Sequence, residues 1–129
     1  MPAISGSPTA LLGWKVLVVE DEPLEAMDYC DRLTAAGAEV VGPFDSVSAA
    51  LDHAKHDPID VALLDYALAD QNSEGLQSAL ERRAIPFVVL TGYPRVLVRR
   101  HDNQKVLSKP ISDDLLYMTI KAAGKSTMR

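Results

Sequence analysis

A chain of 129 residues with 47% apolar and 24% charged side chains carries enough apolar surface for one packed core, which argues against extended disorder and predicts a single domain. The formal net charge of −5 excludes the basic footprint of a nucleic-acid binder, and no apolar run reaches the length of a membrane span. The single Cys30 cannot form an internal disulfide, and the opening MPAISGSPTALLG lacks the basic start and long apolar stretch of a signal peptide, so a cytoplasmic protein is expected.

Residues 1–13, rich in Pro, Ser, Gly and Ala, read as a flexible lead-in, with the folded domain expected over 14–124 and a flexible tail over 125–129. Lys15 to Val19 is a short apolar strand. From Glu22 onward Leu24, Met27, Cys30 and Leu33 recur near helical spacing and predict an inward stripe, with Cys30 as a core residue, until Gly37 stops the helix. Ala38 to Val41 is a second strand closed by Gly42-Pro43. Ser46 is an N-cap for a helix facing inward through Val47, Ala50, Leu51 and Ala54, and Asp57-Pro58 ends it. Asp60 to Asp65 is the most apolar strand and hence central. The polar loop YALADQN leads into a helix from Ser73 to Arg83 through Leu76, Ala79 and Leu80. Pro86 to Leu90 is strand four, Tyr93 to Asn103 carries mixed signals, Lys105 to Leu107 is strand five, and Ser112 caps a last helix from Asp113 to about Ala123.

This alternation predicts an α/β fold, a doubly wound five-stranded parallel sheet in the flavodoxin-like order 2-1-3-4-5, with a short or irregular fourth helix over 93–103. In such a sheet the site lies at the carboxyl ends of the strands. Glu20 and Asp21 follow VLVV, Asp65 follows VALL, Thr91 follows PFVVL, and Lys109 lies in VLSKP, so four strand ends bring together three acids, a hydroxyl and an amine. Three carboxylates in contact repel unless a cation neutralises them. Only oxygen donors are present, which selects Mg²⁺ (or Mn²⁺) on Asp21, Asp65 and the Ala67 carbonyl, with Glu20 acting through water. Taken alone, Glu20-Asp21 equally suits a helix cap, Lys109 a surface lysine and Thr91-Gly92 a turn. Together they suit a carboxylate nucleophile at Asp65, a phosphoryl-contacting hydroxyl at Thr91, and a point charge at Lys109 fixed by Pro110.

In this set of residues the chain resembles the receiver domain of two-component response regulators over roughly Lys15 to Ala123. The resemblance implies that a sensor histidine kinase or histidine phosphotransfer protein phosphorylates Asp65, that slow self-dephosphorylation is the only enzymatic activity, and that Thr91 and Lys109 act as the switch. The usual aromatic switch position, three before Lys109, is Val106 here, the loop after Asp65 lacks Met-Pro, and PFVVLTGY looks like the FAT GUY subclass. By that likeness Gly92 and Tyr93 carry the readout to an unknown downstream protein, or the domain acts as a phosphate sink.

Two rival readings differ in class. A degenerate receiver would bind protein without phosphorylation; the intact acids, Thr91 and Lys109 count against it. A Mg²⁺-dependent aspartyl-phosphate phosphohydrolase would need a second acid two residues after its nucleophile, where this chain has Ala67. His53, His56 and His101 lack metal-ligand spacing, and Arg95, Arg99 and Arg100 read as a solvated basic face.

Overall fold

The computed structural model describes residues 9–66, 73–92 and 104–128. The order is β1 (Lys15–Val19), α1 (Pro23–Ala35), β2 (Glu39–Phe44), α2 (Val47–His56), β3 (Val61–Asp65), α3 (Ser73–Arg82), β4 (Phe87–Thr91), β5 (Gln104–Ser108) and α4 (Asp113–Met128). The strands form one sheet in the order β2-β1-β3-β4-β5, with every neighbouring pair parallel. The predicted fold class and strand order therefore hold. Residues 93–103, where a short or irregular helix was expected, lie outside the described residues, as does the Ala67 carbonyl.

Side-chain alternation divides each central strand between two apolar layers. Val16, Val18, Val61, Leu63, Val88 and Leu90 pack with Tyr29 and Leu33 of α1 and with Leu116 and Ile120 of α4. Leu17, Val19, Ala62, Leu64, Phe87 and Val89 pack on the other side with Val47 and Ala50 of α2 and Leu76 and Leu80 of α3. Every residue of β3 and β4 is buried, as expected of strands covered on both faces.

Three expectations need correction. The inward face of α1 is Ala26, Tyr29 and Leu33, while Leu24 and Met27 are 73% and 58% exposed. Cys30 is half-buried against the core, and burial raises its thiol pKa. Within the stretch 1–13 expected to be a flexible lead-in, Leu11 is fully buried and its N–H donates to the Ala36 carbonyl at 2.8 Å. At the other end α4 runs to Met128, into the stretch expected to be a tail.

β2 also extends past its predicted end. Its register with β1 shifts between Leu17–Val41 and Val19–Phe44, so the strand accommodates one extra residue around Gly42-Pro43 before the Phe44 carbonyl accepts the Glu20 N–H at 2.9 Å. Gly42 permits this. Its φ is +116°, and a Cβ there would meet the Val18 carbonyl oxygen at 2.9 Å and the Phe44 backbone N at 3.0 Å. Replacing Gly42 with Ala is expected to lower the unfolding free energy by about 1–3 kcal/mol, read by urea denaturation. An unchanged midpoint would mean that β2 relaxes without strain.

Candidate functional site

Because all five strands are parallel, their carboxyl ends share one edge, and the polar residues that follow the apolar runs collect there. β1 lies beside β3, with Val19 opposite Leu64, so Glu20 and Asp21 leave the sheet next to Asp65. One carboxylate oxygen from each of Glu20, Asp21 and Asp65 lies within 4.8 Å of the others. Thr91 ends β4, the strand on the other side of β3, and is buried. Its carbonyl accepts the Lys109 N–H at 2.7 Å, which ties the two strand ends together. The Lys109–Pro110 peptide is cis. The structure thus gathers Glu20, Asp21, Asp65, Thr91, Lys109 and Pro110 at one edge. Gly92 follows at an exposed position, and Tyr93 lies outside the described residues. Val106 does not reach this edge as an exposed readout: it is buried in the layer formed with α2 and α3.

Lys109 Nζ is the cationic centre of the cluster. It donates to Glu25 Oε1 at 2.5 Å and to Asp65 Oδ1 at 3.4 Å, and lies 3.7 Å from Glu20 Oε1. Burial by itself would lower its pKa; the hydrogen bond to Glu25 and the charges of Asp65 and Glu20 override this and hold the ammonium above its ordinary value. Glu25 is a site residue that sequence reasoning missed. As a first-turn acid it reads as a complement to the helix dipole, and its approach to a residue 84 positions away depends on how α1 docks.

Glu20 is the most constrained acid. It is 3% exposed, its Oε2 accepts the Glu22 N–H at 3.0 Å, and its Oε1 has no hydrogen-bond partner. Burial, with the neighbouring Asp65 carboxyl adding to it, raises its pKa from 4.5 to about 7, against the opposing pull of the Glu22 N–H and Lys109. Among the described residues the Lys109 ammonium faces three acids, Glu20, Glu25 and Asp65, Asp21 adds a fourth carboxylate beside Glu20 and Asp65, and a buried oxygen of Glu20 lacks a donor. An oxygen-only donor set of this kind fits a hard divalent cation such as Mg²⁺.

Beside the acids, a cleft of about 410 Å³ opens between α1 and the β2–α2 connection, walled by Pro23, Met27, Cys30, Pro43 and Phe44. The histidines are elsewhere: His53 stacks on Phe44 and pairs with Asp57, His56 pairs with Asp52, and His101 is outside the described residues. The Arg95, Arg99 and Arg100 cluster is outside them as well. Among the described residues no helix is long and apolar enough to cross a membrane.

No family model matches the sequence. The transcriptional regulatory protein PdtaR of Mycobacterium tuberculosis is 31% identical over 116 residues, covering 84% of this chain; the chain spans 56% of that relative's length. Among solved structures, SdrG from Sphingomonas melonis Fr1 is 38% identical with a TM-score of 0.73, covering 88% of this chain and 96% of SdrG. A response regulator receiver protein from Sinorhizobium medicae WSM419 superposes with a TM-score of 0.79 at 18% identity, covering 88% and 95% of the two chains. The receiver domain of the sensor histidine kinase PA1611 from Pseudomonas aeruginosa PAO1, solved with a magnesium ion coordinated in its active-site cleft, gives 0.75 at 20% identity, covering 88% and 98%.

The raised Glu20 pKa has a consequence for stability. Between pH 8 and 5 the folded, metal-free protein binds a proton at Glu20 that the unfolded chain does not, so this group makes the protein more stable as the pH falls, by up to about 3 kcal/mol. The shift of Lys109 acts only at alkaline pH and leaves this window unaffected. Urea unfolding at pH 5, 6, 7 and 8 should show the gain in the parent and lose it in Glu20→Gln. Equal slopes in the two proteins would contradict the assignment.

Proposed function

We propose that this chain, which belongs to the response-regulator receiver family, accepts a phosphoryl group on Asp65 from the phosphohistidine of a sensor histidine kinase or phosphotransfer protein. The observation that carries the reading is the position of the Asp65 carboxylate: buried at the end of β3, among Glu20 and Asp21, and 3.4 Å from the Lys109 ammonium. A carboxylate so placed is oriented for attack and has charge partners for what it would receive.

In the transfer, an Asp65 carboxylate oxygen forms a bond to phosphorus while the phosphorus–nitrogen bond of the donor imidazole breaks, and that nitrogen recovers a proton to leave as neutral imidazole. Lys109 counters charge on the phosphoryl oxygens, and the Thr91 hydroxyl donates to one of them. Glu20, Asp21 and Asp65 would hold a divalent cation, Mg²⁺ or Mn²⁺, which supplies neutralisation of the carboxylate and phosphoryl charges when bound. The open cleft beside α1 leaves room for a protein donor to approach these acids. Hydrolysis reverses the modification: water adds to phosphorus, the bond to the Asp65 oxygen breaks, and inorganic phosphate leaves. That slow reset is the only turnover we assign to the domain. The phosphoryl group adds roughly −1.5 to −2 charge, and its pull on Thr91 and Lys109 is the signal read by a downstream protein.

Intact mass after incubation with phosphoramidate or acetyl phosphate and Mg²⁺ tests this. The parent is expected to gain one labile phosphoryl group, Asp65→Asn none, and Thr91→Ala to gain it roughly tenfold more slowly. A gain that persists in Asp65→Asn, or a parent that gains none from either donor or from a phosphohistidine-bearing protein, would contradict the reading.

A further inference from the structure

The transfer described above makes no use of Glu25, yet Glu25 makes the shortest contact to the Lys109 ammonium: 2.5 Å, against 3.4 Å to Asp65 and 3.7 Å to Glu20. The pairing is built into the docking of α1 rather than left to two mobile side chains. Two turns further along α1, Arg32 Nη1 donates to the Ile111 carbonyl at 2.7 Å and lies 3.4 Å from Asp113 Oδ1, while the Tyr117 hydroxyl donates to the Arg32 carbonyl at 2.6 Å. These contacts fix the helix against the turn that carries Lys109. At the other end, the Glu22 side chain accepts the Glu25 N–H and orients the first turn.

We propose that Glu25 is a positioning residue that holds Lys109 in competition with Asp65, so that the amine has to leave Glu25 to serve a phosphoryl group; the inference rests on Asp65 being the phosphoacceptor. The asymmetry in burial supports this. The Glu25 side chain is 41% exposed and the Asp65 side chain 8%. When Lys109 moves inward, water can solvate the Glu25 carboxylate, whereas the buried acids have no such replacement. Charge on the transferring phosphoryl group is stabilised best by a cation already beside it, so an ammonium held back by a third acid contributes less to the transfer. Glu25 would therefore slow phosphoryl uptake.

The test compares phosphoryl uptake from phosphoramidate with Mg²⁺, by intact mass, in the parent, Glu25→Gln, Glu25→Asp and Asp31→Asn. The Asp31 variant removes one exposed charge from the same helix at a distance from the site. Glu25→Asp keeps the charge and shortens the reach. Uptake roughly three- to tenfold faster in both Glu25 variants, with Asp31→Asn like the parent, is the expected result. A second readout needs no donor: the amino hydrogens of Lys109 should exchange more slowly with water in the parent than in Glu25→Gln, seen by nitrogen-resolved NMR of the lysine side chains. Uptake in Glu25→Gln no faster than in the parent, or Glu25→Asp behaving as the parent, would overturn the positioning role while leaving phosphorylation of Asp65 intact. A parent without any mass gain would overturn the underlying reading, and this inference with it.

Discussion

Electrostatic repulsion among carboxylates at the carboxyl edge of the sheet is the constraint around which the rest of this structure is arranged. The β2-β1-β3-β4-β5 order puts β1 against β3, and the two strands deliver Glu20, Asp21 and Asp65 to one place. Such a cluster destabilises the fold unless something offsets it. Lys109 supplies one charge, and Glu20 responds by holding its proton near neutrality, at a pKa of about 7. The remaining imbalance is one that a divalent cation would offset.

Rigidity around that edge comes from backbone contacts more than from the ionic groups. The Glu20 N–H is held by the Phe44 carbonyl, the Tyr66 N–H by Leu90, and the Lys109 N–H by Thr91, so each polar strand end is pinned by its neighbour. Arg32 ties α1 to the turn after β5 through the Ile111 carbonyl, and Tyr117 ties it to α4. The acids and the backbone of Lys109 are thus fixed in place, and the cost of keeping them together is met by the apolar layers on both faces of the sheet.

Much of this was legible in the sequence. VLVV, VALL and PFVVL are uninterrupted apolar runs because their strands are covered on both faces, and the polar residue ending each run necessarily falls at the sheet edge. The phase of α1 was not legible. Its register is set by Tyr29 and Leu33 with the small Ala26 between helix and sheet, and counting Leu24 and Met27 in the stripe rotated the predicted face. Leu11 was overlooked because a Pro, Ser and Gly context reads as loop, although a loop can seat one apolar side chain in the core. The Glu25–Lys109 contact has no local signal at all, since it joins residues 84 apart through tertiary docking.

The central claim is that the strand-end acids form a cation site, and it is tested most directly by a Mg²⁺ titration followed through backbone amide shifts, comparing the parent with Asp21→Asn. The account predicts saturable one-site binding, with the largest shifts at residues 20, 21 and 65, and a marked weakening in the variant. Shifts that rise linearly without saturation, or that spread over exposed acids elsewhere on the surface, would contradict it.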